Sequence, residues 1–130
     1  MMKTAELFAE QSYCKRKKVG AVLAKEGRIL ATGYNGTISG LPNICECEDG
    51  ITNDFTLHAE QNIITYCAKN GIPTNGTTLY ITYSPCKTCA KLIAQSGITN
   101  VIYADLYKDK DGIQFLESCQ IKTQHLPRTN

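Results

Sequence analysis

The stretch TTLYITYSPCKTCAKLIAQSGITNVIYA, residues 77–104, decides the fold. Its opening run, TTLYIT at 77–82, is β-branched, aromatic and aliphatic, which suits a pleated strand. Leu79, Tyr80 and Ile81 read as core residues of that strand. Ser84 can cap a helix, Pro85 suits its first position and Gly97 can end it. TNVIYA at 99–104 reads as another strand. A helix between two strands is a crossover, so the strands are expected to run parallel with a right-handed connection.

Upstream, Thr56 is read as the N-cap of a helix running to about Asn70, stopped by Gly71 and Pro73. VGAVLA at 19–24 and RILATGY at 28–34 are β-rich, and Lys25-Glu26-Gly27 between them marks a hairpin. Thr4–Lys15 reads as an opening helix with Leu7 and Phe8 on its apolar side. From Asn35 to Thr56 the chain is polar and holds Gly36, Gly40, Pro42 and Gly50, which predicts a long loop of functional kind. Downstream come a short helix at Ile113–Ser118 and a last strand, QIKTQHL, at 120–126. The expected class is α/β, one domain over 1–130. It has a mixed five-stranded sheet, an N-terminal hairpin, parallel C-terminal strands and helices on both faces.

A chain of 130 residues has room for one domain. A net charge of +2 makes no case for nucleic acid as partner. MMKTAELFAE carries no apolar run of signal-peptide length, and no segment could span a bilayer, so a cytoplasmic protein is expected. The 7 cysteines are an odd number. Without a signal peptide, that argues against a disulfide framework and for metal. Cys67 and Cys119 read as core thiols, and His125 as a plain surface residue.

Cys86 and Cys89 are three apart at a helix start and share a face. The helix N-terminus favours the thiolate, and the pair suits one tetrahedral zinc. His58, at the start of the preceding helix, supplies an imidazole. Three protein ligands leave one position free, as in catalytic zinc sites. Glu60 stands two residues from His58, about 200° around an ideal helix. The two converge only if His58 sits at the irregular helix start, and Glu60 then serves as acid and base without binding metal.

HAE from His58 and PCKTC from Pro85 resemble the H-x-E and P-C-x-x-C signature of zinc-dependent nucleoside and nucleotide deaminases. CKRKKVGAVLAKEGRILATGYNG from Cys14, HAEQNII, PCKTCAKLIAQSGI and VIYADLY together are similar to the deoxycytidylate deaminases, closest to their phage and bacterial branch. The similarity runs from about Cys14 to Ile121. It implies a cytidine-deaminase-like three-layer α/β/α sandwich and hydrolysis of dCMP to dUMP and ammonia, supplying dUMP for thymidylate synthesis. His58, Cys86 and Cys89 would hold zinc and Glu60 would move protons. The segment Thr82, Tyr83, Ser84 and Pro85 would line the base pocket, and Asn35 would bond the sugar. Arg16, Tyr107 and Lys108 would meet the phosphate, with lysine standing where the family often has arginine.

The resemblance also implies a homohexamer activated by dCTP and inhibited by dTTP. Lys15, Lys17, Lys18 and Gly36 are candidates for holding the triphosphate, with Mg2+ as its companion. Some phage relatives carry a second, structural zinc, for which Cys14, Cys45 and Cys47 are the candidates here. The rival readings are a tRNA adenosine or free-base cytosine deaminase, a bifunctional dCTP/dCMP deaminase, and a zinc module without catalysis. No membrane or nucleic-acid partner is expected.

Overall fold

The computed structural model describes residues 1–128. In chain order the elements are α1 (Met2–Ala9), β1 (Gly20–Lys25), β2 (Arg28–Tyr34), β3 (Gly36–Thr37), β4 (Thr56–Leu57), α2 (Ala59–Asn70), β5 (Thr78–Tyr83), α3 (Lys87–Gln95), β6 (Asn100–Asp105), α4 (Asp111–Ser118) and β7 (Lys122–His125). The main sheet has the order β2-β1-β5-β6-β7. β1 pairs antiparallel with β2 and β5, while β5–β6 and β6–β7 are parallel. This is the mixed five-stranded α/β sheet that the crossover segment implied. The hairpin turn is made by Glu26 and Gly27 at φ 52° and 78°. Two positive φ values give a primed turn, whose twist matches that of the strands.

Alternation along β1 assigns the two faces. Leu23 packs with Ile63 of α2, Ile93 of α3 and Leu116 of α4 in the main core. Val22 points the other way, to Met2 and Ala5 of α1 and to Ala104. Ile63, Ile93 and Leu116 are fully buried, each worth about 1.5–3 kcal/mol relative to exposure. Three helices on one face and α1 on the other make the three layers, and they leave the α2 and α3 N-termini side by side.

Several element boundaries differ from the sequence reading. α1 starts two residues before Thr4 and ends at Ala9, not Lys15. Its buried residues are Met2, Ala5 and Ala9, whereas Leu7 is 60% exposed. The helix stops because the following side chains serve tertiary bonds. Ser12 Oγ donates to the Asn35 carbonyl at 2.8 Å. The Tyr13 hydroxyl lies 2.8 Å from Thr37 Oγ1 and accepts the Thr37 N–H at 2.9 Å. Cys67 is buried as expected, but Cys119 is exposed. His125 does more than coat the surface: its ring stacks on Tyr103 at 5.1 Å and its Nε2 sits 2.8 Å from the Ala104 carbonyl. Among the described residues, no helix is long and apolar enough to cross a membrane.

Candidate active site

Both site helices begin on a residue that could hold a metal, His58 for α2 and Cys86 for α3. Thr56 is not the α2 N-cap; it belongs to β4, and its hydroxyl donates to the Cys45 carbonyl at 3.2 Å. His58 itself is the N-cap, with extended backbone at φ −71° and ψ 158°. Its N–H donates to Gln61 Oε1 at 2.8 Å, which fixes the helix start. Ser84 is likewise not the α3 N-cap. Its hydroxyl accepts the Tyr107 N–H at 2.7 Å, and Cys86 takes the cap position at φ −71° and ψ 168°. Extended backbone at His58 removes the helical rotation that would set it opposite Glu60. Both residues now line one cavity.

His58 Nδ1 lies 3.2 Å from Cys89 Sγ and 3.7 Å from Cys86 Sγ. All three donor atoms lie within 4.8 Å of one another. Zinc bonds of about 2.0 Å to nitrogen and about 2.3 Å to sulfur, set tetrahedrally, put such donors about 3.6 Å apart. One imidazole and two thiols therefore fit zinc in both spacing and softness. Electrostatics agree. Hydrogen bonds from Cys89 and His58 bring the Cys86 thiol down to about 4. Its bond with Cys86, and then burial, push Cys89 upward. The hydrogen bond to Cys86 raises His58 above its ordinary value. Without a cation the cluster thus retains protons that a metal displaces.

Glu60 is 4% exposed, and burial pushes its carboxyl up to about 7, opposed by backbone hydrogen bonding and the His58 charge. A carboxylate with this value exchanges protons readily near neutral pH. It faces a cavity of about 220 Å³. Gly112 of α4 supports the same corner: a Cβ there would run into the Pro85 carbonyl and Cys86. Sequence reasoning missed Gly112, since nothing local marks so close an approach.

The cavity gathers many of the expected residues. Asn35, Arg16, Tyr83, Ser84 and Tyr107 line it with His58, Glu60 and Cys86. Thr82 and Pro85 are buried behind the lining, where Thr82 Oγ1 accepts the Gly20 N–H at 3.2 Å. Lys108 is exposed and outside the lining. Of the four effector candidates only Lys17 lines the cavity; Lys15 and Lys18 are exposed, and Gly36 packs on Tyr13. Asn35 Oδ1 accepts the Val19 N–H at 2.8 Å, and its Nδ2 donates to the Lys17 carbonyl at 2.7 Å. One lone pair and one hydrogen of that amide remain for a ligand.

The long loop is closed at its base by β3 and β4 and tied down in its middle. Cys14 and Cys45 form a disulfide, which corrects the expectation that the cysteines stay reduced. The 31-residue separation brings both to one cavity wall, where the bond joins loop and sheet lead-in. A bonded pair offers no thiolates. Cys47 stands apart, exposed, with its thiol 2.6 Å from Asn53 Oδ1. The third donor near Cys14 and Cys45 is Glu46 instead. Its carboxylate accepts the Lys15 N–H at 3.0 Å and the Arg16 N–H at 3.2 Å. Sequence reasoning passed over Glu46, although it sits between Cys45 and Cys47.

A mixed sheet whose two helix tips present one nitrogen and two sulfur donors, with a buried acid, to a pocket defines a class of zinc-site hydrolytic enzymes. Residues 1–105 match the cytidine and deoxycytidylate deaminase zinc-binding region, and the chain belongs to that family. Deoxycytidylate deaminase of Enterobacteria phage T4 is 35% identical over 173 aligned residues, covering 100% of this chain and 90% of that protein. ComE operon protein 2 of Bacillus subtilis (strain 168) is 41% identical over 110 residues, 82% of this chain and 58% of that protein. The crystal structure of dCMP deaminase from the cyanophage S-TIM5 in complex with dCMP and dUMP matches with a TM-score of 0.93. The two are 49% identical, covering 96% of this chain and 93% of that one.

Proposed function

We propose that this enzyme hydrolyses dCMP to dUMP and ammonia. One observation carries the reading: His58 and Cys86 of the His58–Cys86–Cys89 donor group, Glu60 and the cations Arg16 and Lys17 line a single small cavity, with Cys89 buried directly behind. The likeness to the cyanophage enzyme solved with dCMP and dUMP supports the same substrate. His58, Cys86 and Cys89 hold the zinc, which when bound supplies Lewis acidity that lets water react near neutral pH. Glu60 accepts a proton from the attacking water and delivers it to ring N3. The water oxygen adds to carbon four. Glu60 then carries the remaining water proton to the departing amino group. The C–N bond breaks, a C=O bond is left, and ammonia departs. One carboxylate serves both as base and as acid because it holds each proton only between taking it from water and giving it to the base. Ser84, Tyr83 and Asn35 shape the base and sugar end.

dUMP for thymidylate synthesis, dCTP activation, dTTP inhibition and a hexamer belong to the same reading. Half-buried Tyr80 and Ile102 on the α1 side of the sheet offer apolar surface that a second subunit would cover. Reduction of Cys14–Cys45 would free two buried thiols beside Glu46, a three-donor group for a second zinc. Thiols at Cys47, Cys67 and Cys119, outside the metal group, fit a cytoplasmic setting, to which the Cys14–Cys45 bond is an exception. The test is ammonia release from dCMP, deoxycytidine, dCTP and tRNA in parallel. The reading expects dCMP to lead; equal rates on dCTP would point to a bifunctional enzyme, and release from tRNA alone would overturn the reading.

A further inference from the structure

We infer that Lys17, rather than Lys108, is the residue that makes this enzyme prefer a 5′-phosphorylated nucleotide to the bare nucleoside. The inference rests on the dCMP reading above and assigns its specificity. Lys17 Nζ lies 4.2 Å from the ring centroids of both Tyr83 and Tyr107. An ammonium over aromatic faces is attracted by their negative charge distribution. Two rings therefore hold one flexible side chain in one place, at the rim of the cavity that Tyr83 and Tyr107 also line.

The backbone is held as well. Asn35 bonds the Lys17 carbonyl and the Val19 N–H, so the cation is anchored at both ends by cavity residues. A lysine fixed in this way has already lost the rotamer freedom that gripping an anion would cost. The surroundings call for negative charge. Burial and the neighbouring Arg16 guanidinium lower the Lys17 pKa, and Lys108 adds to this, against the opposing pull of Asp105. Asp105 is itself engaged with Arg128 at 3.0 Å. A phosphate dianion satisfies Lys17 and Arg16 together, and a nucleoside hydroxyl does not. Lys108 lacks every part of this arrangement: it is exposed, and the cavity lining leaves it out.

The test compares kcat/KM on dCMP and deoxycytidine for the zinc-loaded wild type, Lys17→Met, Lys17→Arg and Lys108→Met. Methionine keeps most of the stem between the rings and removes the charge. Lys17→Met is expected to lower the dCMP-to-deoxycytidine ratio about 30-fold, the size of a lost charge-assisted contact. Lys17→Arg is expected to recover most of it, and Lys108→Met to move it less than about 3-fold. An equal loss on both substrates would make Lys17 merely structural and overturn the assignment, as would a larger ratio change from Lys108→Met. Calorimetric binding of dUMP against deoxyuridine, which needs no turnover, separates the two levels. A wild type that prefers dUMP while Lys17→Met keeps that preference removes only the Lys17 assignment. A wild type that binds neither removes the dCMP reading with it.

Discussion

The cavity end that carries the His58–Cys86–Cys89 group, proposed to hold the metal, and the end lined by Arg16, Lys17 and Asn35, proposed to hold the nucleotide, are built by different means. His58, Cys86 and Cys89 stand on the first turns of helices that cross a fully buried sheet core. Arg16, Lys17 and Asn35 lie on irregular backbone or at a strand's end, and side chains hold them there: the Glu46 carboxylate, the Asn35 amide and the Cys14–Cys45 bond. The first arrangement inherits its precision from element packing, which tolerates little displacement. The second can be redrawn by changing a few loop residues. On the function proposed above, chemistry sits on the rigid part and recognition on the adjustable part.

The largest expected effect falls at the rigid end. Glu60→Gln should lower kcat on dCMP by about 10³-fold or more while zinc content, read by elemental analysis, stays unchanged. Retained turnover would mean that another group moves the protons. At the adjustable end, Cys14→Ser should lower stability by about 3 kcal/mol, measured by denaturant unfolding, and leave the metal in place. Thiol titration of the unreduced protein, unfolded in denaturant with a metal chelator, sharpens this: the disulfide predicts 5 free cysteines, and 7 reactive thiols would break the comparison. The smallest effect is on pH. Burial raises Glu60 to about 7, and the charge of bound zinc then lowers it. The base form is needed, so kcat/KM should hold above neutral pH and fall about tenfold per unit on an acid limb below about pH 7. A limb above about pH 8 would assign it to another group.

Much of this division was legible in the sequence. The crossover stretch at 77–104 carried the parallel strands, and Cys86, Cys89, His58 and Glu60 carried the metal end, because each obeys a local rule of spacing or helix position. The cap positions were misread at Thr56 and Ser84 for an equally local reason: both are good caps by propensity. Tertiary bonds drew them away, and the donors themselves took over the cap positions. The nucleotide end was harder. Nothing near Lys17 announces two tyrosines 66 and 90 positions away (83 − 17 and 107 − 17), and nothing near Cys14 announces Cys45. Such contacts exist only once the sheet has brought the segments together. Gly112 is the same case, since its close approach to Pro85 is fixed by the packing of α4 on the α3 start.

The most direct test is to purify the chain, count bound zinc per subunit and follow dCMP in the same sample. The account predicts one zinc at His58–Cys86–Cys89, stoichiometric release of ammonia with dUMP, and loss of both metal and turnover in Cys89→Ala. A preparation that deaminates dCMP without metal, or whose zinc survives Cys89→Ala, would contradict it.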